Sequence, residues 1–205
     1  PLEGTTPRMT RILPDSLHTW TSTVLLSLGL PKRDADHIAQ CLVDVDLRGV
    51  TSHGTRLLPR YIAEFRDGLI NKEPHIRVLR ETDTLIRLDG DGGAGYLVAT
   101  RATNLACEKA MNSGIAVAST CNHGHAGSIG IFARSAVALG FVSWCVSGNS
   151  DWSLSDPRTA IPRPRSAQTV WDAVQSPPMC FGIPSAHGPP LVLDMNANTF
   201  GNSET

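Results

Sequence analysis

One short segment brings together three side chains that could act on a small acid. TSHGTR, residues 51–56, contains Ser52, His53 and Arg56. An imidazole titrates near neutrality and can pass a proton to or from a substrate oxygen. A guanidinium can bind a carboxylate through two hydrogen bonds, and a hydroxyl can contact the reacting oxygen or orient an imidazole. The segment therefore predicts part of an active site, and the competing interpretation is a capped loop between helices.

A second segment, CNHGHAGSIG at residues 121–130, repeats the combination of histidine and glycine. Two chemistries are open for it. One is a metal site, with five candidate ligands: His53, His123, His125, His187 and Asp194. No H-E-x-x-H pattern supports a zinc hydrolase. The other is proton transfer by a histidine beside an Arg56 carboxylate clamp. Oxidation of a 2-hydroxy acid or reduction of a 2-oxo acid requires that chemistry, together with hydride transfer at a bound nicotinamide.

Both segments lie where a predicted element ends. Apolar residues recur at helical spacing in a first helix that Asp15 or Ser16 caps and Gly29 ends, and in a second helix whose buried stripe runs to Leu47. A third helix begins near Pro59, so TSHGTR is expected to connect two helices. The later elements are predicted as strands at 76–80, 84–90, 115–120, 141–148, 179–184 and 191–195 and helices at 96–114 and 128–140.

This order of elements predicts an α/β (α+β) chain. We expect an N-terminal helical subdomain over residues 1–75, which carries TSHGTR, and a sheet domain over residues 76–205. Residues 149–178 are rich in serine, proline and arginine and are too long for an ordinary connection, so we interpret them as a divergent loop. If the helical part covers the carboxyl edge of the sheet, the two histidine segments face each other across a cleft.

Residues 90–95, GDGGAG, match the G-x-G-x-x-G pattern and lie between a predicted strand and a predicted helix. A Rossmann site also needs an acidic residue about twenty positions further on, at the end of the next strand. That strand ends at Cys121, and the nearest acid, Glu108, lies inside the helix. Asp91 would also bring negative charge toward a pyrophosphate. We therefore expect a tight turn with glycines at positive φ and close contact between helix and strand.

The composition argues against two classes of partner. The chain has 205 residues, a mass of 22.0 kDa and a formal net charge of −1, which favours neither nucleic acid nor an anionic membrane. No apolar run approaches the length of a bilayer span. Five scattered cysteines without a C-x-x-C pair favour reduced thiols and a cytoplasmic protein.

Four stretches of the chain have the pattern of a known family: DLRGVTSHGTRLLPRY and its continuation (46–71), LDGDGGAGYLVATRA and its continuation (88–117), HAGSIGIFA (125–133) and FGIPSAHGPPLVLDM (181–195). They resemble the malate/L-lactate dehydrogenase family, which is distinct from the Rossmann lactate and malate dehydrogenases and includes ureidoglycolate, sulfolactate and 2,3-diketogulonate oxidoreductases. The Ser-His-Gly segment followed by H-x-G-x-x-G-x-x-A carries the resemblance. It implies a non-Rossmann fold that binds NAD or NADP, a small 2-hydroxy or 2-oxo acid substrate such as malate or lactate, and a homodimer.

The resemblance also implies roles by position. Ser52 and His53 match the family's Ser-His pair, and His125 matches the second motif histidine. Either imidazole is a candidate proton donor and acceptor, and we favour His125. Arg56 and Tyr61 match substrate-side positions, although some relatives place the arginine one residue later. The cofactor-binding positions are Asn149, Asp194, Met195, Asn196 and Ala197.

Two departures from the family pattern bear on function. Family members continue far beyond LVLDM, whereas this sequence ends at Thr205, and residues 149–178 keep almost none of the family pattern. We therefore expect an incomplete sheet domain and cofactor pocket in a C-terminally truncated member. The alternative to an active oxidoreductase is a catalytically impaired homologue that acts as a dimerising or ligand-binding module.

Overall fold

The computed structural model describes residues 11–148 and 178–196. It mixes helices and strands, which confirms the predicted fold class. The helices are α1 (Pro14–Ser27), α2 (Lys32–Leu47), α3 (Leu58–Arg66), α4 (Gly95–Ser113) and α5 (Gly130–Ala138). The strands are β1 (Arg77–Glu81), β2 (Leu85–Gly93), β3 (Val117–His123), β4 (Ser143–Val146), β5 (Pro178–Ile183) and β6 (Leu191–Asn196). Nearly all of the predicted divergent loop, 149–178, lies outside the described residues.

The helices that precede the first histidine segment form because apolar side chains recur on one face. In α2 this face buries Ala35, Ile38 and Leu42 completely. The helix then ends at a left-handed glycine, Gly49, whose φ of 79° lets the chain turn away. Proline in the first turn of α3 begins the next helix, as predicted.

Two predictions about these helices are wrong in detail. Leu47 is 64% exposed instead of buried, because a helix turns about 200° over two residues and so places Leu47 opposite the buried Val45. Neither predicted side-chain cap begins α1. The helix starts at Pro14 with Leu13 as its N-cap, since the fixed φ of proline suits the first helical turn.

The strands form two three-stranded sheets within the described residues, in the orders β1-β2-β3 and β4-β5-β6. In the first sheet, β1 is antiparallel to β2 and β2 is parallel to β3. Helix α4 makes the crossover between the two parallel strands, so the second histidine segment follows β3 at the same sheet edge where β2 ends. The second sheet is antiparallel throughout.

The glycine-rich segment was expected to follow the strand as a tight turn, but residues 90–93 belong to β2 and form an irregular turn within it, where its pairing with β3 shifts register between Asp89 and Gly93. Asp91 and Gly92 have φ values of 52° and 70°. The Asp91 carboxylate accepts the backbone N–H of His75 at 3.0 Å and the side-chain amide of Asn71 at 3.1 Å. These bonds tie the turn to the chain that follows α3, which is a structural role for the acid.

The helical region and the first sheet share one core. Side chains of α1, α2 and α3 pack with Ala94 and Tyr96 at the start of α4. This packing brings the connection after α2 toward the connection after β3. The boundary that we place between residues 75 and 76 stays a prediction. Within the described residues, no helix is both long enough and apolar enough to cross a membrane.

Candidate active site

The first histidine segment is held in place by Asp46. Two short 3-10 turns, Thr51–His53 and Thr55–Leu57, follow α2. The Asp46 carboxylate accepts the backbone N–H of Thr55 at 2.9 Å and its hydroxyl at 2.6 Å. Gly54 has an ordinary negative φ, and its glycine is needed because a Cβ there would overlap the Asp46 carboxylate.

The role of Asp46 was not predicted from the sequence. The sequence does contain a signal for it: an acid at the end of a helix, just before a connection rich in hydroxyl residues. This pattern is typical of a side chain that accepts hydrogen bonds from free backbone N–H groups.

We expect Asp46→Ala to lower the free energy of unfolding by about 1–3 kcal/mol, because the partly buried donors of Thr55 lose their acceptor. Urea denaturation followed by circular dichroism measures the change. Asp67→Ala, an exposed acid at the end of α3, is the matched control and should change stability by less than about 0.5 kcal/mol. An unchanged urea midpoint for Asp46→Ala would contradict the anchoring role.

The structure brings the two predicted histidine segments together. The rings of His53 and His125 are stacked, with their centroids 5.9 Å apart and their planes inclined by 29°. Ser52 Oγ lies 2.9 Å from His53 Nδ1, so the hydroxyl orients that imidazole. Both rings are half-buried, so each keeps part of its surface accessible to a ligand.

A chain of two buried hydroxyls supports His125 from behind. Tyr61 Oη lies 2.7 Å from His125 Nδ1, and Tyr96 Oη lies 3.0 Å from Tyr61 Oη. The backbone N–H of Gly127 donates to the same Nδ1 atom at 3.3 Å. Tyr61 was predicted on the substrate side, but its hydroxyl contacts the histidine. Tyr96 was not predicted, because nothing in its spacing distinguishes it from a core aromatic residue.

Burial sets the protonation of this cluster. Desolvation, and after it the positive charges of Arg60 and His53, lower the pKa of His125 to about 4. Desolvation raises the pKa of Tyr61 to about 12 and raises the pKa of Tyr96 above its usual range. At pH 7 His125 is therefore a neutral imidazole and both phenols are protonated.

Two arginines lie near the start of α3, one before it and one in its first turn. Arg56 is exposed, and no carboxylate of the described residues forms an ion pair with it. Arg60 was not among the predicted site residues. Its Nε donates to Glu64 at 2.7 Å, and its charge acts on the pKa of His125. Of the two, Arg56 therefore keeps its whole guanidinium unpaired within the described residues.

His123, one of the proposed metal ligands, is already bonded to other groups of the protein. His123 Nε2 lies 2.8 Å from the Thr120 hydroxyl, and its Nδ1 lies 2.8 Å from the Gly124 carbonyl oxygen. Both ring nitrogens are thus engaged by the protein. No group of three metal-binding side chains lies together in the part of the chain that the structure describes.

The residues predicted to bind the cofactor are only partly placed. The Asp194 carboxylate accepts the Ser128 hydroxyl at 2.6 Å and the backbone N–H of Gly130 at 3.1 Å, so it holds the N-terminus of α5 against β6. Met195 follows it and is 41% exposed. Asn196 ends β6, while the two remaining positions, Asn149 and Ala197, lie outside the described residues. Among the described residues predicted to bind a nicotinamide cofactor, the ones that could contact it are therefore those in the exposed part of β6.

Comparison with known families agrees with this fold and these motifs. The family model described as malate/L-lactate dehydrogenase matches residues 12–203. The chain therefore belongs to the malate/L-lactate dehydrogenase family, which confirms the resemblance on which the site residues were predicted.

Individual relatives support the same membership. The malate dehydrogenase of Pyrococcus abyssi is 34% identical over 185 residues, which are 90% of this chain and 48% of the relative. The L-sulfolactate dehydrogenase of Methanocaldococcus jannaschii is 40% identical over 114 residues, which are 56% of this chain and 33% of the relative. The solved structure of malate dehydrogenase from Pyrococcus horikoshii matches with a TM-score of 0.78 and 31% identity, covering 95% of this chain and 53% of the relative. The chain spans about half the length of the two Pyrococcus relatives.

Proposed function

We propose that the chain carries the acid–base and substrate-binding part of an NAD(P)-dependent oxidoreductase that acts on a small 2-hydroxy or 2-oxo acid. The observation that carries the proposal is the stacked pair of His53 and His125, 5.9 Å apart, with Ser52 bonded to one ring and Tyr61 to the other. Family membership and the names of the relatives, malate and sulfolactate dehydrogenase, support the same reaction class.

In this proposal the protein binds and protonates the acid. The exposed Arg56 guanidinium binds the substrate carboxylate, which places the C2 oxygen beside the two imidazoles. One histidine gives a proton to that oxygen during reduction and takes one from it during oxidation. A nicotinamide cofactor, when bound, supplies or accepts the hydride at C2.

Fluorescence titration of the purified chain with NADH and NADPH tests the proposal. We expect micromolar binding of one of the two, followed by oxidation of the bound cofactor when pyruvate, oxaloacetate or sulfopyruvate is added. Arg56→Ala is the matched variant and should keep cofactor binding while raising the KM for the oxo acid. Absence of binding and of turnover with both cofactors would contradict the proposal.

A second candidate is a catalytically impaired homologue that binds a ligand or dimerises. It is favoured by Asp194, a predicted cofactor residue whose carboxylate is already bonded to the Ser128 hydroxyl and the Gly130 N–H. Cofactor binding without turnover in the same titration would favour it.

We also propose a cytoplasmic homodimer. All five cysteines are free thiols, which suits a reducing compartment. On β4 and β5 the rings of Trp144 and Phe181 stack at 5.8 Å on the outer face of the second sheet and are 67% and 38% exposed. An exposed apolar face of this kind is typical of protein interfaces, and sedimentation of the chain tests dimer formation.

A further inference from the structure

We infer that Asp89 is a positioning residue for His125: its buried carboxylate holds Asn122 in the left-handed backbone conformation from which β3 leads into the histidine loop. The histidine loop is the connection after β3, residues 124–129, and it carries His125. Asp89 itself takes no part in the chemistry. The effect of Asp89 on turnover rests on the proposed function, whereas its effect on the position of the ring does not.

Two residues with an unusual backbone conformation bond to the same oxygen of Asp89. Among residues 11–148 and 178–196, Asp91 and Asn122 are the only residues other than glycine with positive φ, at 52° and 53°. This region is disfavoured because the Cβ atom crowds the following carbonyl oxygen. The Asp91 backbone N–H donates to Asp89 Oδ1 at 3.0 Å, and the Asn122 side-chain amide donates to the same atom at 2.7 Å. One carboxylate oxygen therefore stabilises both left-handed residues.

Both left-handed residues lie where the pairing of β2 with β3 is interrupted. Asp89 pairs with Cys121 and Gly93 pairs with His123, so three residues of β2 lie opposite Asn122 alone. An irregularity of this kind bends a strand and redirects the side chains beyond it. The hydrogen bonds to Asp89 Oδ1 tie the two strands together at this point. The direction in which β3 leaves the sheet is therefore set at Asn122.

The glycine-rich segment GDGGAG packs directly against the chain beyond this point. A Cβ at Gly90 would lie 2.8 Å from the Asn122 carbonyl oxygen. The backbone N–H of Gly124 donates to the Gly93 carbonyl oxygen at 2.8 Å. Because these glycines carry no side chain, β2 comes within backbone contact of the segment that leads to His125. The motif that resembles a dinucleotide fingerprint is therefore part of the support for the second histidine segment.

Both oxygens of the Asp89 carboxylate are engaged. Asp89 is 8% exposed, and its Oδ2 accepts the Arg77 guanidinium at 2.6 Å. The hydrogen bonds from Asp91 N–H and from the Asn122 amide hold the pKa of Asp89 below its usual value, so the group is ionised at neutral pH. Hydrogen bonds to an ionised acceptor are stronger than those to a neutral one. Loss of the carboxylate therefore releases both left-handed residues.

Nuclear magnetic resonance of the ¹⁵N-labelled chain tests the position of the ring without any substrate. The rings of His125 and Tyr61 have their centroids 6.2 Å apart, so their protons should show a nuclear Overhauser contact. Asn122→Ala removes the amide bond and makes the left-handed conformation costlier, so this contact should weaken several-fold and the His125 ring ¹⁵N resonances should shift. His125→Asn assigns those resonances.

Arg77→Gln is the matched control, because it removes the ion pair at the other oxygen of the same carboxylate and should leave the ring contact at its wild-type strength. Asp89→Asn keeps an acceptor at the position of Oδ1 and should retain more of the contact than Asp89→Ala, which removes it. Should Asp89→Ala fail to fold, Asn122→Ala still decides, because the bond from Asp91 to Asp89 is intact there. A wild-type ring contact in Asn122→Ala, or an equal loss in Arg77→Gln, would overturn the inference.

Steady-state kinetics test the link to the proposed reaction. Asn122→Ala should lower kcat for a 2-oxo acid by about 10- to 100-fold, since small displacements at a reacting group carry losses of this size. The KM should change by less than about threefold, because Arg56 lies on another segment. Wild-type kcat in Asn122→Ala beside a weakened ring contact would contradict the positioning role. A wild-type chain without turnover would count against the proposed function and leave the resonance result standing.

Discussion

His53→Ala is expected to lower kcat for a 2-oxo acid by about 100- to 10,000-fold, the range that positioned acid–base groups contribute. The imidazole lies beside His125 with a centroid distance of 5.9 Å, and Ser52 Oγ holds its Nδ1 at 2.9 Å. This bond leaves Nε2 as the ring nitrogen that can exchange a proton with a substrate. Removing the ring takes away the proton source and leaves the Arg56 guanidinium in place. The KM for the oxo acid should therefore change only a few-fold.

Steady-state rates as a function of pH measure this loss. The limb of the wild-type pH profile that reports the proton donor should vanish in His53→Ala. Added imidazole should restore part of the rate, because the His53 ring is half-exposed. His75→Ala is the matched control. That imidazole is exposed on the connection after α3 and should leave kcat unchanged. Turnover near the wild-type rate in His53→Ala would remove the acid–base role from this residue.

Local sequence signals were sufficient to predict the elements and both histidine segments. Periodic apolar residues located α2, and glycine and proline marked its ends. The same signals were insufficient at Leu47, where the apolar residue lies on the solvent side of the helix. Periodicity reports the average face of a helix, whereas the exposure of its last turn depends on what packs beside it.

The supporting residues of the site could not be predicted in the same way, because their roles depend on contacts between distant parts of the chain. Tyr61 and Tyr96 are 35 positions apart, and their hydroxyls meet only because α3 packs on the start of α4. Asp46 acts on Thr55 across the turn that ends α2. Arg60 resembles any surface arginine in sequence, yet its charge acts on the pKa of His125. Side chains that position a catalytic group carry no motif of their own, and their identification requires the fold.

Gly95→Ala is expected to damage both stability and turnover. Gly95 is the first residue of α4, and a Cβ there would overlap the Gly124 carbonyl oxygen and lie 2.7 Å from the backbone carbon of His125. Backbone atoms cannot rotate away as a side chain can, so either α4 or the loop with His125 must shift. Alanine is the better helix former, but steric overlap of this kind costs about 1–3 kcal/mol. A displacement of about 1 Å at a reacting group can lower turnover by about 100-fold.

Urea denaturation and initial rates with a 2-oxo acid measure the two effects of Gly95→Ala, and the ¹⁵N resonances of His125 report whether the ring has moved. Gly188→Ala is the matched control, because a Cβ at that exposed position would meet no atom within 4 Å. The decisive comparison is between the loss of stability and the loss of turnover in Gly95→Ala. If the loop yields, turnover and the His125 resonances change more than stability does, since only the segment around residues 124–126 moves. If α4 shifts instead, the urea midpoint falls more than turnover does, because the helix packs on β2, on β3 and on the helical region. Wild-type stability and wild-type turnover in the same variant would show that this close approach does not position the histidine.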